Sequence, residues 1–236
     1  MVATLDKMTK EFNENFEEKN KVLKKKISKA TKSKMLGDCF LINVCERMSV
    51  FVEDDSGSIL TSKEGEQFFS GFANVINAMR KCPKLIIGRV QGKAVGGGVG
   101  LASATDYCLA TKFASIKLSE LSIGIGPFVI EPAVSRKMGA TAMSQMTINA
   151  ETFFSPEYAK NNGLYAEVYE SVEALDAAVK SLAEKLSNYN LEALREIKTV
   201  FWKGTDHWGA LLKERAKISG KLVLSDFTKD TLKRFH

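Results

Sequence analysis

The stretch Ile87-Gly-Arg-Val-Gln-Gly92-Lys-Ala-Val-Gly96-Gly97-Gly98-Val-Gly100-Leu-Ala-Ser-Ala-Thr-Asp106-Tyr107 sets three consecutive glycines between an apolar strand and a helix of small residues. Leu85 to Val90, preceded by Pro83, has the short apolar run of a buried strand, and Val99 to Ala104 can continue as a helix. Glycines at such a junction let the chain turn sharply and bring backbone N–H groups against a ligand, because no Cβ intervenes. The positive end of the following helix favours negative charge there. The anion can be a phosphate or the oxyanion that develops on a carbonyl during a reaction. Nucleotide signatures are lacking: no G-x-x-x-x-G-K-[ST] is present, since Leu101 follows Gly100, and no clean G-x-G-x-x-G has an acidic partner downstream. A glycine run alone is also compatible with a plain strand-to-helix turn.

A second group with chemistry lies a short way on. Glu120 stands among Ile116, Leu118, Leu121, Ile123 and Ile125, where partial burial would raise its pKa toward neutrality and make it a proton shuttle. The bland alternative is a glutamate that points to solvent or pairs with Lys117 or Arg136.

The run from Ile87 to Tyr107 resembles the enoyl-CoA hydratase/isomerase family, the crotonase superfamily. The likeness continues through Ser119-Glu120-Leu-Ser-Ile-Gly124-Ile-Gly126-Pro127-Phe128 and Ser155-Pro-Glu-Tyr-Ala-Lys-Asn-Asn-Gly163-Leu, and covers roughly residues 64 to 236. The resemblance implies an α/β fold of the ClpP/crotonase class, a ββα superhelix with a C-terminal helical trimerisation region. It divides the chain into an atypical N-terminal part of the core (1–63), a core with the acyl-CoA site (64–170) and a helical region (171–236). It implies that the Gly97 N–H is one of two donors to a thioester oxygen as it becomes an enolate, and that Glu120 is a catalytic carboxylate. Gly96, Gly97, Pro127 and Phe128 would line the substrate. Fixed donors aimed at a developing oxyanion lower a barrier by about 3 kcal/mol each.

The resemblance also bears on the reaction. Where hydratases of the family carry a second glutamate, this chain has Gly100. Adding water across a double bond is served by two carboxylates, whereas moving the bond needs one base that takes a proton from C2 and returns it at C4. Pro127-Phe128 resembles the 3,2-enoyl-CoA isomerases of the family. Enoyl-CoA isomerase or hydratase chemistry is therefore expected, with decarboxylation, thioester hydrolysis or an impaired acyl-CoA-binding subunit as alternatives. Glu131 reads as a first-turn helix charge or as a second acid.

Residues 1 to 63 depart from the family. The turn that supplies the other oxyanion donor is not recognisable near Cys39-Phe-Leu-Ile-Asn-Val-Cys45 or Asp54-Asp55-Ser56-Gly57. Lys19 to Lys34, with Lys24-Lys25-Lys26, reads as a solvated helix or disordered arm. Another backbone donor, an altered reading frame between Glu14 and Ser62, and a loss of efficient catalysis each account for the departure.

Composition sets the limits. The chain has 236 residues, 44% hydrophobic and 4 Pro, enough to bury a substantial core. No apolar run is long enough to span a bilayer, and no apolar signal core opens the sequence, so the cytoplasm is the default expectation. Cys39, Cys45, Cys82 and Cys108 lack metal-ligand spacing and read as structural thiols. The net charge of +6 admits nucleic acid or a membrane surface, but the lysines mix with Glu14, Glu17 and Glu18, and no aromatic residues interleave. The expected partners are an acyl-CoA thioester and further copies of the chain as a homotrimer or dimer of trimers, with no metal and no cofactor beyond the CoA of the substrate. Trp202 and Trp208 read equally as core or interface anchors and as acyl contacts.

Overall fold

A computed structural model describes residues 31–36, 39–44 and 62–233. Its main sheet has five strands in the order β1 (Thr31–Leu36), β2 (Cys39–Val44), β3 (Ile86–Val90), β5 (Tyr107–Thr111) and β7 (Glu167–Tyr169). Only β1 runs antiparallel to its neighbour, and the other pairs are parallel. A second, two-stranded sheet joins β4 (Ala94–Val95) to β6 (Ile116–Lys117), also in parallel.

The chain winds between these sheets. From β3 it passes through β4 into helix α2 (Gly97–Ser103) and returns as β5, and from β5 it passes through β6 into a 3-10 turn at Leu121–Ile123 and helix α3 (Glu131–Ile148). Each of these turns thus spends one strand in each sheet before a helical segment, and the first such helix, α2, is itself buried from Gly98 to Ser103. Parallel neighbours require such crossovers, and a helix is the usual means. This is the ββα superhelix that the resemblance implies.

The remaining helices cover the core. Helix α1 (Ser62–Lys81) carries Phe68, Phe69, Phe72, Ile76 and Met79 inward, and these join Ile86, Val90, Val99, Ile116, Leu118, Val134 and Met146 in the principal core. The chain continues through α4 (Pro156–Asn161), α5 (Val172–Ser187), α6 (Leu191–Phe201), α7 (Trp208–Leu222) and α8 (Asp226–Lys233). Helix α5 begins where the Ser171 side chain accepts the Ala174 N–H, and its Leu175, Val179 and Ala183 close over Ile87 and Leu109 of the main sheet. Helix α7 lies along α1, with Leu212 and Ala216 in the principal core.

Two expectations meet the described residues at the amino end. Cys39 to Val44 forms a strand, as its apolar run suggests. Thr31 to Lys34, read as the end of a solvated helix or arm, instead lies in β1, where Lys32 and Lys34 sit on an edge strand. Lysines are common on such edges because they discourage pairing with another chain. The rest of the lysine-rich segment, the missing turn and, apart from β1 and β2, the stretch read as an altered frame lie outside the described residues.

Candidate functional site

The glycine run forms the turn its composition suggests. Gly96 adopts φ 54° and ψ −118° as the residue before α2, a conformation open to glycine and costly for residues with a Cβ. Its N–H donates to the Lys117 carbonyl at 2.8 Å, which fixes the turn to β6, and its own carbonyl accepts the N–H groups of Val99 (2.9 Å) and Gly100 (3.2 Å). Gly97 opens the helix and is half-buried. Its N–H is among the first of a helix, which have no intrahelical acceptor.

Glu120 comes to this turn from β6. Its carboxyl lies directly over Gly96: a Cβ placed there would be 2.8 Å from Oε1 and 3.3 Å from Cδ. Thus any side chain at position 96 would displace the carboxyl. The other oxygen, Oε2, is sealed from solvent and has no hydrogen-bond partner among the described residues. Burial pushes the carboxyl up to about 7, against a smaller downward pull from its own backbone N–H. The bland pairing with Lys117 or Arg136 is not what the structure shows. The Lys117 ammonium lies 4.7 Å from the centre of the Phe153 ring, and the Arg136 guanidinium lies 4.2 Å from that of Trp202.

The turn bearing Glu120 is held from two sides. The Glu120 carbonyl accepts the N–H groups of Ile123 (3.3 Å) and Ile125 (2.9 Å), and Gly124 ends the 3-10 turn with φ 78°. Helix α8 then seats on Gly124, where a Cβ would meet the Phe227 ring at 2.5 Å and Thr228 Oγ1 at 2.7 Å. Pro127 is buried, and the Phe128 ring folds back over Gly126 of the same loop. Glu131 heads α3, where its Oε1 accepts the Ser135 hydroxyl at 2.7 Å, the local role of a first-turn helix charge.

At the other end of α2 the structure builds a polar centre that sequence reading did not find. Asp106 Oδ2 accepts the Ile86 N–H at 2.7 Å and the Lys198 ammonium at 2.6 Å, while Oδ1 accepts the Trp202 indole N–H at 2.7 Å. Lys198 is only 2% exposed. Burial pulls its pKa below the usual lysine value, and Asp106 opposes that shift. Lys137 of α3 donates to the carbonyls of Thr105 (3.0 Å) and Asp106 (3.1 Å). Arg136 donates to the Phe201 carbonyl, and Trp202 meets Trp208 edge to face at 5.8 Å. This centre ties α3, α6 and α7 to the starts of β3 and β5, and it makes both tryptophans buried anchors. Its one sequence signal was an aspartate closing the glycine-rich segment, with its partners 92 and 96 positions away.

Among the described residues no group of three or more His, Cys, Asp and Glu is placed to hold a metal ion, and no helix is long and apolar enough to cross a membrane. Cys82 and Cys108 are buried free thiols, and burial pushes Cys108 up to about 12.

The chain is similar to known proteins over most of its length. The enoyl-CoA hydratase/isomerase family model matches residues 55–234, and the chain belongs to that family. Among curated relatives it is 27% identical over 174 residues to the peroxisomal Delta(3,5)-Delta(2,4)-dienoyl-CoA isomerase of Arabidopsis thaliana, covering 71% of this chain and 61% of that protein. It is 30% identical over 148 residues to the bacillaene synthase dehydratase PksH of Bacillus subtilis (strain 168), covering 61% of this chain and 54% of that protein. The chain therefore spans less than two thirds of the length of either. The fold matches that of an enoyl-CoA hydratase from Mycobacterium avium with a TM-score of 0.73 at 17% identity, covering 87% of this chain and 95% of that one.

Proposed function

We propose that this protein moves a double bond in enoyl-CoA thioesters through an enolate, with Glu120 as the single base. The observation that carries this reading is the Glu120 carboxyl over Gly96, its Oε2 buried and without a hydrogen-bond partner among the described residues, a burial that raises its pKa to about 7. A carboxyl near neutrality accepts a proton from carbon and gives it back with little penalty in either direction. The Gly97 N–H, beside Gly96 at the head of α2, is the donor to the thioester oxygen as negative charge develops there. Pro127 and Phe128 border the acyl chain. The order of events is abstraction at C2, charge held on the thioester oxygen, and return of the proton at C4.

The reading is supported by family membership and by relatives named as dienoyl-CoA isomerases. It includes no cofactor beyond the CoA of the substrate, assembly as a homotrimer or dimer of trimers, and a cytoplasmic setting. The test supplies purified protein with 3-enoyl-CoA and 2-enoyl-CoA side by side. Interconversion of the two that disappears in Glu120→Gln is the expected result. Turnover that survives Glu120→Gln, or release of CoA or carbon dioxide in place of a moved double bond, would overturn it.

A further inference from the structure

One helical turn along α2 from Gly96, on which the Glu120 carboxyl rests, the next side chain to meet the helix is apolar. Ile130, just before α3 and 3% exposed, presses onto the α-carbon of Gly100: a Cβ placed at Gly100 would lie 2.2 Å from Ile130 Cγ2 and 2.5 Å from its Cβ. Gly100 stands one turn along α2 from Gly96 and donates its N–H to the Gly96 carbonyl. Residues so spaced are neighbours, with roughly 5–6 Å between Cβ positions. The first turn of α2 thus bears two foreign side chains, the Glu120 carboxyl on Gly96 and the Ile130 alkyl group on Gly100.

Addition of water to a double bond needs a polar group to hold the water and take its proton while another proton reaches carbon. A branched alkyl group offers neither, and it excludes water from the space it fills. Glu120 Oε2, buried and without a hydrogen-bond partner among the described residues, belongs to the carboxyl resting on Gly96, the position next to Gly100 along this face of α2.

We infer that Ile130, seated on Gly100, is a specificity-determining residue that closes this flank of Glu120 to water and confines the site to transfer of one proton between two carbons. The inference rests on the reading of Glu120 as base. In that transfer the C2–H bond breaks, its proton passes to the Glu120 carboxylate, and its electron pair enters the thioester enolate. The enolate electrons then take the same proton at C4, forming a C4–H bond as the double bond moves from C3–C4 to C2–C3. A flank closed to water keeps that proton on the carboxyl, so a hydrogen isotope placed at C2 appears at C4.

The experiment uses the full chain and 3-enoyl-CoA deuterated at C2, and compares wild type with Ile130→Val and Ile130→Thr. These two variants have nearly the same shape and differ by a hydroxyl group, so a change confined to threonine reports water and not packing. Mass spectrometry reads deuterium at C4 and the ratio of 3-hydroxyacyl-CoA to isomerised product. Wild type and Ile130→Val should retain the label, whereas Ile130→Thr should raise the hydration ratio by about tenfold and lower retention in proportion. Identical retention and ratio in the two folded, active variants would overturn the inference while leaving Glu120 as the base. Wild-type protein that mainly hydrates 2-enoyl-CoA, or turns over neither substrate, would overturn the functional reading itself, and the inference with it.

Discussion

Two carboxyl groups sit at opposite ends of α2, about 10 Å of helix apart, and they are buried in opposite ways. Asp106 has three donors, one of them a buried lysine that serves as counter-ion, whereas Glu120 has an oxygen with no partner among the described residues. Burying a charge without partners is costly, and a protein that only needed stability would place leucine or glutamine at position 120. The satisfied carboxylate belongs to the framework. The unsatisfied one has a raised pKa and rests over Gly96, and on the proposed function it is the group that exchanges a proton with substrate.

The contrast fixes what each substitution should do. The largest effect is expected from Glu120→Gln, which should lower kcat for double-bond movement by about a thousandfold, as loss of a general base does, with no loss in thermal stability. A parallel fall in Tm would move Glu120 to the framework side. At the other end, Asp106→Ala should cost about 3–5 kcal/mol in chemical denaturation, because it leaves the Lys198 ammonium buried and alone. The activity of the molecules still folded should change little. Replacing both partners, Asp106→Leu with Lys198→Met, should recover part of that loss, since a buried ion pair gives little net stability over apolar groups of similar size.

Two smaller effects depend on pH. Only ionised Glu120 can take a proton from carbon, so kcat/KM should rise about tenfold per pH unit below about 7 and level off above it, and this inflection should be missing from any residual activity of Glu120→Gln. The same shift has the opposite sense for stability. The folded carboxyl holds its proton up to about 7, whereas its ordinary value is 4.5, so between those values the folded state binds more protons than the unfolded one. Stability should therefore fall as pH rises through that window, by about 3 kcal/mol in all, and the fall should be absent in Glu120→Gln. Denaturant midpoints across the window measure it, and an equal fall in both proteins would assign it to other groups.

The two ends of α2 also differ in how far the sequence revealed them. The glycine turn is local: a strand, three glycines and a helix follow one another within 21 residues, and each leaves its own pattern. Glu120 was legible as a carboxylate in an apolar stretch, although its place over Gly96 required two strands of the second sheet to pair. The Asp106 centre was not legible, because Lys198 and Trp202 come from a helix whose spacing says only that it is amphipathic. Ile130 was invisible for another reason: one apolar residue ahead of a helix looks like any other, and only its contact with Gly100 distinguishes it. The edge strand β1 was missed because alternating lysines on a short strand carry the composition of a solvated arm.

The seat of α8 on Gly124 has a consequence for the order in which the protein is made. The glycine turn, Glu120 and both sheets are encoded well before Phe227 and Thr228, and strands and core helices can assemble as the chain emerges from the ribosome. The turn that carries Glu120 gains its outer support only when α8 has been synthesised. A nascent chain can therefore complete both sheets before it has the groups that hold the Glu120 turn in place, and the position of that carboxyl is fixed after the scaffold around it.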